Sequence, residues 1–290
     1  MSVATNPTTP SDRLEALDIL RGIALFGVMA INLVAAFRVS LFQRFSSDYL
    51  TDVPLDTALT VLLGIFVETK ALTIFTLLFG IGLAIQIERM GEPDKAKILL
   101  IRRLAILLVI GLIHLLLIWP GDILTNYAIA GLIALPFLFG SRSRLANSAL
   151  TFAFVQIVLL LVRPLPELDQ EWIRAYNADA PEVHRSGSYV AVLLLHLRAV
   201  PQVASWHLYA LPQTVALFLF GAWIWRSDIL HDAGTNRRLL KVVAWIGCLS
   251  GFGLLVVGWA AGLSSARALG VLVSLSTILL ALGYSAIVIC

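Results

Sequence analysis

Residues 103–119 read RLAILLVIGLIHLLLIW, a run that is apolar except for Arg103 at its edge and His114 within it. About 20 such residues in a helix cross the ~30 Å of hydrocarbon in a bilayer. Lipid offers the backbone no hydrogen bonds, so a segment that spans must be a helix or part of a closed barrel. The apolar residues are continuous instead of alternating, which excludes a barrel strand. Comparable runs lie near 19–39, 71–88, 123–140, 145–163, 208–225, 241–260 and 268–289. The expected fold is therefore all-α, a polytopic transmembrane helical bundle of about eight spanning helices.

Composition agrees. The 290 residues are 59% hydrophobic and 13% charged, with a mean hydropathy of +0.90. Soluble domains carry roughly 25% charged residues. No basic stripe alternates with exposed aromatics, so nucleic acid is not an expected partner; the lipid bilayer is. Cys248 and Cys290 lie in apolar runs and have no Cys-x-x-Cys spacing, so buried structural thiols are expected, with no disulfide and no metal. Arg21 interrupts the first apolar run, which argues for a retained first helix and against a cleaved leader.

The expected organisation is a cytoplasmic segment at 1–17, a transmembrane helical domain at 18–290, and a long extracytoplasmic loop at 164–206. Residues 57–70 form a further helix that lies in the interface or extends the second span. In the loop, the apolar stretch from Tyr189 to Leu197 is expected to be helical. With the N-terminus in the cytoplasm, thirteen of the 21 Lys and Arg residues fall inside, among them Arg89, Arg142, Arg226 and Arg237, and seven outside. That asymmetry sets the orientation. No internal repeat of the kind that marks many transporters is visible. Trp172, Trp206, Trp223 and Trp225 are read as interfacial anchors.

Ionisable residues inside spans are candidates for function. Asp18 and Arg21, three apart, share a helix face and can pair. Asn32 follows Arg21 by eleven residues, which is about three turns and 16 Å on the same face. Arg103 and His114 repeat that spacing, beside Arg102. A histidine this deep suits acid–base work near neutral pH, although a satisfied interhelical hydrogen bond is the simpler account of it taken alone. Trp119-Pro120-Gly121-Asp122 forms a tight turn. Asp122 then sits at the head of the next helix, where capping alone would account for it. Across that one turn His114 and Asp122 are close enough in sequence to meet, with Tyr127 near the same boundary. Lys70 suits a phosphate or carboxylate partner, though snorkelling is the simpler account.

Asp18-Ile19-Leu20-Arg21-Gly22, Lys70 with Leu78-Phe79-Gly80, Arg102-Arg103, His114, Gly121-Asp122-Ile123-Leu124 and Tyr127 together resemble the YeiB-like membrane proteins, the domain-of-unknown-function-418 family. Gly221 to Arg226 and Arg237-Arg238 also fit, so the resemblance covers nearly the whole chain from residue 13. That family is distantly similar to membrane acyltransferases that take an acyl group from acyl-CoA on one side and deliver it to a glycan on the other. The resemblance implies an uncharacterised bacterial inner-membrane protein, multi-pass, that moves an acyl group, acetyl above all, onto an envelope glycan or lipid acceptor. On that reading no permanently bound cofactor is expected, and acyl-CoA is the expected donor substrate. Arg21, Arg102 and Arg103 would face the CoA phosphates. His114 would act as base or transient acyl carrier, Asp122 would orient it, and Tyr127 or Asn32 would donate to the carbonyl oxygen. In the O-acetylating branch an Arg-x10-His pair on the first span carries the reaction. The matching positions here are Arg21 and Asn32, so that histidine is absent, and Arg103 with His114 offers the same spacing elsewhere. Relatives of this type continue with further helices, so a chain that stops at Cys290 is expected to be a truncated product. The alternative function is a transporter or permease for a small molecule or envelope precursor, and a third is a non-catalytic membrane partner.

Overall fold

The computed structural model describes residues 15–37, 42–43, 54–162, 169–227, 229–230, 236–260 and 266–290. Among the described residues ten α-helices follow one another: α1 Glu15–Phe37, α2 Pro54–Phe66, α3 Glu68–Met90, α4 Pro93–Ile113, α5 Leu124–Leu138, α6 Arg142–Val162, α7 Gln170–Arg185, α8 Tyr189–Arg226, α9 Arg237–Ala260 and α10 Ala266–Ile289. A π-helical turn, His114–Ile118, extends α4. There is no strand among the described residues. Among the described residues seven helical segments are long and apolar enough to cross a membrane. The fifteen residues of α5 add an eighth, shorter apolar helix. The chain is a polytopic membrane bundle of about eight helices, as the apolar runs require.

The surface shows why water is the wrong solvent. On α1, Leu17, Leu20 and Ala24 are buried while Ile19, Ile23, Phe26, Met29 and Leu33 are exposed. Both sets recur every three or four residues, so both faces of the helix are apolar, one against protein and one against lipid. Between helices the hydrophobic effect is weak in lipid, and close packing takes its place. Gly80 of α3 lies on the Phe218 carbonyl of α8, and Gly221 of α8 lies on the Leu77 carbonyl of α3. A Cβ at either position would collide with backbone. Phe79, Tyr127 and Phe218 then pack ring against ring, with centroids 4.7–5.4 Å apart.

Helices α3, α5 and α8 run the same way. At one end Trp225 donates to Glu88 at 2.6 Å, Arg103 to Gln86 at 2.6 Å, and Arg226 to the Gly140 carbonyl at 2.8 Å. This is the basic end. At the other lie the head of α3, the π-turn, the head of α5 and the middle of α8.

Two sequence expectations change, and one open choice is resolved. Residues 57–70 are helical as expected, and α2 passes into α3 through Val67, whose N bonds Leu63 O and whose carbonyl accepts from Ala71 N. The segment extends the second span. The stretch read as a long loop is largely helix. Asp169 caps α7 by accepting from Glu171 N, and α8 runs without a break for 38 residues, from Tyr189 into the span expected at 208–225. The polar composition reflects the exposed face of α7, whose other face buries Ile173, Tyr176 and Ala180 against Leu195, Ala199 and Val203 of α8. Finally, both cysteines are free, and Cys290 is exposed instead of buried. Residues 1–14, with Arg13, and also Arg38, Arg44 and Arg163, lie outside the described residues.

Candidate functional site

The site is built where α4 stops being an α-helix. Trp119 N reaches back five residues to the His114 carbonyl at 2.7 Å, and Pro120-Gly121 turns the chain. Asp122 then meets the head of α5. Its Oδ1 accepts from Leu124 N at 3.0 Å, and its Oδ2 from Thr125 N at 2.8 Å. These are two of the donors that every helix start leaves without partners. The same Oδ1 lies 3.1 Å from His114 Nδ1.

The chemistry of that contact is asymmetric. None of the Asp122 side chain is exposed, whereas 32% of His114's is. An ionised carboxylate only accepts, so Nδ1 must carry the proton it shares. In the neutral ring the lone pair then sits on Nε2, the nitrogen turned away from Asp122. A carboxylate behind a histidine fixes its tautomer and leaves Nε2 as the atom that can take a proton. An arrangement of this kind can accept and return one proton.

Helix α8 holds this turn from behind. His207 Nε2 donates to the Asp122 carbonyl at 2.7 Å, and Asn126 Nδ2 donates to the His207 carbonyl at 2.9 Å. His196 Nδ1 donates to the Leu116 carbonyl at 3.3 Å, and Tyr189 OH to the Leu117 carbonyl at 3.2 Å. Leu116 and Leu117 are in the last turn of their helix, where carbonyls lack ladder partners. Tyr189, His196 and His207 stand 7 and 11 residues apart; the total is five turns at 3.6 residues per turn, so all three lie on one stripe.

Of the expected site residues, His114 and Asp122 are brought into contact. Tyr127 is near in sequence but is buried, and its hydroxyl lies 2.5 Å from Thr76 Oγ1 on α3. Asn32 is exposed on α1, which packs on α3 and α10. Arg21 pairs with Asp18 at 2.9 Å, and its helix end packs near the basic end. Arg103 bonds Gln86 there, and Arg102 is exposed beside it. Eleven residues of helix, about 16 Å, separate Arg103 from His114. The sequence reading missed Tyr189, His196, His207 and Thr76. Helical spacing carried the signal for the first three, but it was hidden because the segment read as a loop. Among the described residues no group of three or more His, Cys, Asp or Glu is arranged to hold a metal ion.

Fold and site together define a multi-pass helical membrane protein with a carboxylate-backed histidine at one end of the bundle. The chain belongs to the family of YxaH and YeiB. It is 32% identical to the uncharacterised protein YxaH of Bacillus subtilis (strain 168) over 87% of this chain and 67% of that protein. It is 32% identical to an uncharacterised 39.9 kDa protein from the amylase 3′ region of Bacillus acidopullulyticus, over 56% of this chain. It is 30% identical to the uncharacterised YeiB of Escherichia coli (strain K12), over 59% of this chain. The last two matches span 45% and 43% of those relatives, less than half of each. No family model and no solved structure matches the chain.

Proposed function

We propose that this membrane protein transfers an acyl group, acetyl above all, from acyl-CoA to a hydroxyl or amine of an envelope glycan or lipid. The observation that carries the reading is the His114–Asp122 contact, 3.1 Å long, with the aspartate wholly buried and the histidine partly exposed. In this scheme the acceptor hydroxyl attacks the thioester carbonyl while His114 Nε2 takes its proton. The C–S bond breaks, and the leaving thiolate takes that proton from the imidazolium, giving the acyl ester and free CoA. Asp122 orients the ring and balances its transient charge. Arg102 and Arg103 meet the CoA phosphates at the basic end, in the cytoplasm, and the acyl-pantetheine arm runs toward His114. Tyr127 braces α5 on α3 in this scheme, and Asn32 is the group left to polarise the carbonyl oxygen.

Purified protein in detergent is mixed with acetyl-CoA labelled in the acyl group, comparing wild type with His114→Ala and Arg103→Ala. The reading expects saturable label in wild type, loss of transfer in His114→Ala and weakened binding in Arg103→Ala. Transfer by a folded His114→Ala at the wild-type rate would refute it. A permease is the second reading, favoured by the buried polar residues Lys70, Thr73 and Thr76 along α3. Substrate flux into proteoliposomes without a covalent product would select it.

A further inference from the structure

Lys70 takes no part in the His114 site, yet it is 4% exposed within the apolar helical segment Thr57–Met90. A snorkelling lysine runs its stem along the helix and leaves its ammonium in water. Lys70 does otherwise: its Nζ donates to the Gly64 carbonyl at 3.1 Å, and the residue as a whole is buried. An ammonium has three donors and no acceptor. Among the described residues no carboxylate pairs with it. A buried cation in a membrane bundle with one neutral acceptor is a costly arrangement, and such residues are commonly retained for a ligand or a counter-charge.

Along α3, Lys70 is flanked by threonines at positions 69 and 73. Thr69 Oγ1 lies 3.0 Å from Thr277 Oγ1, which joins α3 to α10, and Thr73, one turn on, donates to the Thr69 carbonyl at 2.8 Å. On the other side of Lys70, Ala71 packs against Gly27 of α1. Lys70 therefore stands where α3 meets both α1 and α10, at the same end of the bundle as His114.

We propose that Lys70 is the centre of an oxyanion site at this junction that takes the phosphate group of a ligand, with the Thr69–Thr277 hydroxyl pair as neutral support. Lysine binds phosphate as a point charge, whereas planar recognition of a carboxylate favours an arginine fork. The proposal is independent of acyl transfer. The phosphate belongs either to a phospholipid headgroup or to a water-soluble molecule, and both present the same oxygens.

The test uses the full chain, first in neutral detergent with inorganic phosphate, then in nanodiscs of phosphatidylglycerol or of phosphatidylcholine. Thermal unfolding and native mass spectrometry are the readouts, since a ligand that binds only the folded state raises the unfolding temperature. Wild type is expected to bind one phosphate-bearing molecule saturably, and Lys70→Met to lose at least tenfold in affinity. Stabilisation by phosphatidylglycerol alone identifies a headgroup; stabilisation by inorganic phosphate identifies a soluble ligand. If Lys70→Met does not fold, Thr277→Val, which keeps the lysine, is expected to weaken binding several-fold. Wild type that binds neither probe, or variants that bind as wild type does, overturns the proposal.

Discussion

Replacing Asp122 by asparagine changes almost no volume and separates the roles assigned to that carboxylate. Asp122 accepts three bonds, from His114 Nδ1, Leu124 N and Thr125 N. Asparagine offers one acceptor oxygen and one donor NH2 group. If the oxygen keeps the Oδ1 position, the NH2 faces the Thr125 N–H, and two donors oppose each other in a buried place. That lost bond costs about 1–3 kcal/mol of stability. If the amide turns over, its NH2 faces His114 Nδ1, which then becomes the acceptor, and the ring proton moves to Nε2. The base is then occupied. Either way the imidazolium loses its counter-charge, and transfer is expected to fall by about 10²–10⁴-fold, or about 3–5 kcal/mol at 1.36 kcal/mol per decade. The assay is single-turnover acyl transfer, run beside thermal unfolding and nitrogen NMR of the histidine tautomer. Asp122→Ala serves as the comparison, since it loses the helix cap but donates nothing to the ring. A folded Asp122→Asn protein with wild-type transfer, the ring proton still on Nδ1, would overturn the proposed role and leave the carboxylate only as the cap of α5.

The remaining expectations concern the frame around the site. His207→Ala leaves the Asp122 carbonyl without its partner and is expected to cost about 1–3 kcal/mol in thermal unfolding, with His207→Gln recovering part of it. Gly80→Leu or Gly221→Leu drives a side chain into the facing backbone carbonyl and is expected to destabilise by at least about 1–3 kcal/mol, seen as loss of monodisperse protein on gel filtration. Burial pushes the Tyr176 phenol from 10.0 up to about 12, so its neutral form belongs to the docked state. The stability it supplies is complete below pH 10 and is lost as pH rises through about 12. Trp172, stacked on Tyr176 with centroids 5.1 Å apart, should report α7 loosening by fluorescence over that window, and Tyr176→Phe should abolish the change.

The apolar runs made the membrane bundle legible because lipid imposes its constraint on every spanning residue. Near 164–206 the same reading faltered. The charges of α7 occupy its exposed face, so composition averaged over the segment reported the polar side and hid the stripe Ile173, Tyr176, Ala180. Taking that region as loop also concealed the Tyr189, His196, His207 stripe. His114 and Asp122 were legible as a pair because a Pro-Gly turn limits how far apart they can be. That Tyr127 would turn to Thr76 was not, because the partner lies 51 positions away in the chain and no local spacing encodes it. Arg103 and His114 kept the expected spacing, but the reading could not say that Gln86 would take the arginine.

A π-turn amounts to an α-helix into which one residue has been inserted, so the stretch from His114 to Asp122 is specified by its residue count as well as its residue types. Removing one leucine from His114–Ile118 would let the ordinary ladder close and would rotate everything after it by about 100°. Trp119, the Pro-Gly turn and Asp122 would all be swung off the histidine's edge without one named side chain having changed. In comparing relatives, a gap at this point would therefore carry information that the identities on either side do not. A homologue with both residues but one position fewer should have lost the pairing, and one that restores the count should have regained it.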